Sequence, residues 1–179
     1  SCATLAGRLS RDRAAGAVAF ISLHADSLEM GGARGAAVYT LAKDAVDGAS
    51  IRMAERHERG DLLAGLDLTG QEDRVATVLM DLARAQTAPQ GERFADALVV
   101  AMRDSGARLN SRPRRDGQLA VLNAADFASV LLEAGFLSNA DDRAALNSSD
   151  GRARIVAAVV AAVQVWAQDE AVRAPLIRQ

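Results

Sequence analysis

Two apolar runs of strand length organise this chain, and each stops at a polar residue. Residues 17–23 (AVAFISL) lead into His24, and Val130-Leu131-Leu132 lead into Glu133. Continuous apolar runs suit strands covered on both faces, which predicts a parallel or mixed sheet inside an α/β domain. Two further runs, 36–41 (AAVYTL) and 118–122 (QLAVL), predict two more strands. Helical spacing appears elsewhere. Leu5 and Leu9 mark an amphipathic helix over 3–15 that Gly16 ends. An Ala-rich, charged stretch from Asp44 to about Arg59 predicts a second helix, broken at Gly60-Asp61. Val75, Val78, Leu79 and Leu82 predict a helix over 71–86 that Pro89 terminates, and Phe94, Leu98 and Met102 form one stripe of another over 91–105. Two last helices are expected at about 140–146 and 150–168, the first capped by Asn139 with Asp141 and Asp142 in its first turn. Residues 27–35 read as a polar turn and 169–179 as a frayed tail. The stretch 111–117 (SRPRRDG) reads as a basic loop, either a solvated turn or a rim that meets an acidic polymer. Strands alternating with helices give a three-layer α/β/α architecture with a mostly parallel, mixed central sheet.

Composition narrows the picture. With 179 residues, half of them hydrophobic, the chain buries the core of one domain, and at 3% aromatic that core is built from small aliphatic side chains. A net charge of −2 gives no electrostatic case for nucleic acid. Cys2 is the single cysteine, which excludes an internal disulfide framework and a CxxC metal site. The longest apolar candidate, 155–166, is interrupted by Gln164 and reads as a buried helix, so no membrane span is expected. No signal peptide is read at the start of the chain. There is no GxSxG elbow, and Cys2 has no neighbouring His, so a serine or cysteine hydrolase has little support.

The chemistry gathers at the two strand ends. Ligand crevices of such sheets lie beyond the carboxyl ends of the strands, so His24 and Glu133 can converge on one site. Taken singly, His24 also fits a histidine bonded to a loop carbonyl, and Glu133 a solvated carboxylate. Asp26 follows His24 by two residues and in extended geometry faces the same way, as a metal-side oxygen or as a turn-forming Asp. Glu133 follows three apolar residues and precedes Ala134-Gly135-Phe136, so desolvation should raise its pKa toward the range useful for moving protons.

SLHAD at 22–26 and LLEAGFLSN at 131–139, with flanks at 36–41 and 119–129, resemble the zinc-dependent N-acetylmuramoyl-L-alanine amidases that cleave peptidoglycan. The resemblance implies Zn²⁺ as cofactor, His24 as a zinc ligand with a metal-side role for Asp26, and Glu133 as the catalytic acid/base. It implies hydrolysis of the amide between N-acetylmuramic acid and L-alanine in the periplasm or cell wall. One departure stands out. The family's HGG turn and its following Glu, both zinc ligands, are absent, and the only histidines are His24 and His57. The expectation is therefore an amidase catalytic domain over 1–168 lacking its first strand or strands, with a tail over 169–179. The missing N-terminal part would also account for the absent signal peptide. Its alternative is a non-catalytic remnant that keeps the fold or a wall-binding, regulatory surface. Within a helical insertion spanning 44–110, MAERHERGDLLAG at 53–65 resembles the segment that covers the zinc site in the family's cell-division branch. There His57, with Glu58 and Glu55, is the candidate autoinhibitory metal contact, which an activator protein would displace. The alternative for His57 is an exposed side chain on a charged helix face.

Overall fold

In the computed structural model, residues 5–27, 32–42, 74–124 and 127–177 are described. Helix α1 (Leu5–Ala14) precedes strand β1 (Ala19–His24), which is followed by β2 (Ala36–Leu41), helix α2 (Arg74–Asp104) and β3 (Leu109–Gly117). A 3-10 turn (Ala120–Leu122), β4 (Ala128–Glu133), α3 (Ala140–Asn147) and α4 (Ser149–Ile177) complete the order. The sheet runs β1-β4-β2-β3. β1 pairs parallel with β4 and β2 parallel with β3, while β2 and β4 are antiparallel. This is the mixed, mostly parallel sheet that the apolar runs predict.

Alternation divides the strands between two cores. Val38, Val130 and Leu132 face α2 and α4, where they meet Phe94, Leu98, Met102, Ala158, Ala162 and Trp166. Ala37, Tyr39 and Leu131 face the opposite side, with Leu119, Val121, Leu122 and Phe136, and Leu9 of α1 and Phe20 of β1 pack against them. Strands buried on both faces are what continuous apolar runs demand.

Four elements differ from the expectations. The basic stretch is not a loop but β3, an edge strand. Arginines and Pro113 are tolerated there because one side of an edge strand needs no ladder partner. Residues 118–122 are not a strand: after Gly117 the chain leaves the sheet, and Leu119, Val121 and Leu122 are buried beneath it instead. α2 is one helix that continues through Pro89. Its packing explains why, since Trp166 stacks on Phe94 with ring centroids 4.9 Å apart and donates from Nε1 to Gln90 O at 3.1 Å, just past the proline. α4 runs on to Ile177, through what read as a tail. Arg93 on α2 holds Glu170 at 2.5 Å, which anchors that extension. Ser149–Ala174 is thereby long and apolar enough to cross a membrane by length and composition alone. In this fold it lays the stripe Ala158, Ala162 and Trp166 onto α2. The helix expected from Asp44 to about Arg59 lies outside the described residues.

One buried carboxylate sets the loops around the end of β4. Asn139 caps α3 by accepting from the N–H groups of Asp141 and Asp142, as its sequence position predicts. Asp142, 4% exposed, does more than complement the helix dipole. Its Oδ2 accepts from Phe136 N at 2.9 Å and from Gly35 N at 2.7 Å, tying the loop after β4 to the loop before β2. Two glycines permit this. A Cβ on Gly35 (φ +77°) would lie 2.5 Å from the Leu109 backbone, and one on Gly135 (φ +157°) would press on Asp142 Cβ at 3.2 Å. Asp142→Ala should therefore cost about 3 kcal/mol, because two buried backbone donors lose a charged acceptor. Asp142→Asn, which keeps an acceptor oxygen, should cost less than half of that. Urea denaturation reads both; a midpoint unchanged in Asp142→Ala would refute the tie.

Candidate active site

The two polar strand ends meet as register partners. β1 and β4 pair from Ala19↔Ala128 through to His24↔Glu133, so the two side chains stand side by side on one face of the sheet. The ladder continues past the strands, with Ala134 N bonded to His24 O at 2.9 Å and Leu137 N to Asp26 O at 2.6 Å. Residues 25–27 and 134–137 are thus laid alongside each other, which fixes where Glu133 is relative to Asp26.

Glu133 is fully buried. Its Oε1 accepts from the backbone N–H of Asp26 at 2.7 Å, and its Oε2 is buried with no hydrogen-bond partner among the described residues. Burial pushes its pKa from the usual 4.5 to about 8; the Asp26 N–H bond pulls it down and the nearby Asp26 charge pushes it up. At neutral pH the carboxyl thus holds a proton. Since Oε1 is an acceptor, that proton belongs on Oε2.

His24 is half-buried, and its Nε2 lies 2.7 Å from Ser22 Oγ. Ser22, itself buried, fixes the ring orientation. It precedes His24 by two residues on the same strand face, a period-2 signal that the sequence carries but that does not by itself single out a serine. Asp142 is the other residue missed. An acid at the third helical position behind an Asn cap normally reaches back to the cap, and nothing in the sequence says that it reaches Gly35 instead.

The structure therefore brings His24, Asp26 and Glu133 together. Asp26 contributes its backbone, which donates to Glu133 and accepts from Leu137. Among the described residues no group of three His, Cys, Asp or Glu side chains is placed to hold a metal ion, short of the three protein ligands of a catalytic zinc site. Glu55, His57 and Glu58 lie outside the described residues.

The chain is 29% identical over 161 residues to the N-acetylmuramoyl-L-alanine amidase AmiC of Neisseria meningitidis, covering 88% of this chain and 38% of that protein. It is 28% identical to AmiA of Salmonella typhimurium, covering 80% of this chain and 50% of AmiA. The chain thus spans about half the length, or less, of these curated relatives. Among solved structures, the CwlD amidase of Clostridioides difficile in complex with the GerS lipoprotein superimposes with a TM-score of 0.60 at 15% identity. That match covers 92% of this chain and 61% of CwlD and bears on the fold alone. Residues 3–165 match the family model described as N-acetylmuramoyl-L-alanine amidase, and the chain belongs to that family.

Proposed function

We propose that this chain carries part of the active site of a peptidoglycan hydrolase that cleaves the amide between N-acetylmuramic acid and L-alanine. The observation that carries the reading is the buried, proton-holding Glu133 beside His24 at the mouth of the sheet. Hydrolysis of this amide adds water to the lactyl carbonyl and must deliver a proton to the departing L-alanine nitrogen. Glu133 suits that delivery: Asp26 N–H holds Oε1, and Oε2 carries the proton toward the reacting nitrogen. In the complementary step the ionised carboxylate accepts a proton from the attacking water.

Zinc is the metal that the resemblance implies, with His24 as a ligand. The described residues do not complete its ligand set. That same shortfall favours a second reading, a non-catalytic member that keeps the fold or a wall-binding surface. The site of action proposed is the periplasm or cell wall, where the polymer is.

Residues 44–68 are proposed as a removable cover, with His57, Glu58 and Glu55 as the contacts it carries. The support is the resemblance of 53–65 to the family's covering segment. Within the broader span 44–110, by contrast, Phe94, Leu98 and Met102 belong to the core under the sheet. An activator protein would supply contacts that offset those of the cover; the relative CwlD has a lipoprotein partner.

Glu133→Gln should keep the fold, because the amide oxygen still accepts from Asp26 N–H, and should lower release of dye from labelled peptidoglycan by a factor of about 10² to 10⁴. Parental activity in the variant would sink both the assignment and the hydrolase mechanism built on it.

The protonation of Glu133 also predicts a stability profile for the chain held free of metal by chelator. The folded state keeps a proton that the unfolded state releases near pH 4.5. Stability contributed by this group is thus full below pH 4.5, falls by about 1.4 kcal/mol per pH unit as pH rises toward about 8, and is flat above that. Glu133→Gln should lack this slope; parallel profiles for parent and variant would show that Glu133 ionises freely in the fold.

Deleting residues 44–68, or changing His57 and Glu58 together to Ala, should raise basal activity without an activator. Unchanged dye release from the deletion variant would rule out the cover.

A further inference from the structure

Strand β1 carries a hydroxyl where packing asks for a hydrocarbon. Phe20, Ser22 and His24 alternate onto one face of β1 and lie beside Ser129, Leu131 and Glu133 of β4. Ser22 is 6% exposed, and its register partner Leu131 is fully buried in the core on that face. A buried hydroxyl costs stability unless it is hydrogen-bonded, so an aliphatic side chain would be the simpler occupant. The hydrogen bond that satisfies it runs 2.7 Å to Nε2 of His24. The serine therefore serves the ring and not the core.

That contact discriminates between the two ring nitrogens. An imidazole that binds a metal gives it the lone pair of one nitrogen, and the other nitrogen then carries a proton that needs an acceptor. In metal-binding histidines that acceptor is commonly a carboxylate, a backbone carbonyl or a water. Here Ser22 Oγ stands at Nε2 and can accept from it. The nitrogen that then carries the lone pair is Nδ1. Position along the strand agrees: Ser22 precedes His24 and Asp26 follows it, so the hydroxyl turns Nε2 back along β1.

We propose that Ser22 is a positioning residue: by holding Nε2 of His24 it makes Nδ1 the nitrogen through which His24 binds zinc. The inference rests on the reading of His24 as a zinc ligand. Ser22 acts through the ring, by fixing its orientation and the placement of its proton.

The test uses the full chain, stripped with chelator, and zinc alone as the probe. The chain has two histidines, so nitrogen NMR of isotope-labelled histidine separates the ring signals, and His57→Gln identifies those of His24. On adding zinc, Nδ1 of His24 should move to the shift of a metal-bound nitrogen while Nε2 keeps its proton. These shifts are read without any change at Ser22, so they decide even if a serine variant fails to fold. Competition with a coloured chelator reads affinity. Ser22→Ala should weaken zinc binding by about 10- to 100-fold, the usual effect of removing a residue that orients a metal ligand. Ser22→Thr, which keeps the hydroxyl, should bind more tightly than Ser22→Ala. Ser129→Ala removes another buried strand serine, one bonded to Phe127 O, and should match the parent. Zinc on Nε2, a parental affinity in Ser22→Ala, or equal losses in Ser22→Ala and Ser129→Ala would each overturn the role of Ser22 and leave the zinc reading standing. No shift of either His24 nitrogen in excess zinc would remove the zinc reading of His24, and the proposal with it.

Discussion

The in-register pairing of β1 with β4 is the constraint on which the site depends. Because His24 and Glu133 are the last residues of two parallel strands joined end to end in register, their separation is set by the sheet and not by loops. The ladder then runs on through Ala134 N–His24 O and Leu137 N–Asp26 O, and this continuation delivers the Asp26 N–H to Glu133 Oε1. A buried carboxyl is costly when ionised. Here the cost is met by keeping it protonated, with one backbone donor satisfying one oxygen and the proton held on the other.

That arrangement explains why structural devices surround the site. Asp142 gathers the loops after β4 and before β2 through two backbone N–H groups, and the glycines at 35 and 135 admit the close approaches this requires. None of these residues need touch a substrate. Their effect is to hold the chain beyond Glu133 still, and precise placement is what proton transfer over hydrogen-bond distance demands.

Much of this was legible in the sequence, for identifiable reasons. Apolar runs ending in a polar residue marked β1, β2 and β4, because strands covered on both faces have no alternation to hide in. His24 and Glu133 stand out in the sequence because strand ends are where such sheets place ligands. The Asn139 cap was found because capping is local. The misses were of another kind. β3 reads as a loop because its character comes from being an edge, which no local pattern states. Pro89 reads as a helix end because the packing of Trp166 against Phe94 and Gln90 that keeps α2 together lies 76 residues away in sequence. Asp142 reads as a dipole partner because its true acceptor role joins positions 107 residues apart.

The mixed direction of the sheet has a consequence for how a substrate is met. In an all-parallel sheet only carboxyl-terminal loops would reach the site. Here β2 and β3 run opposite to β1 and β4, so the end that bears His24 and Glu133 also collects the amino-terminal approaches to β2 and β3. Those approaches carry Arg34 and Gly35 before β2 and the Asn110-centred bulge at the start of β3. On its β2 side Glu133 thus neighbours the loop before β2, whose Gly35 N–H is held by the Asp142 carboxylate.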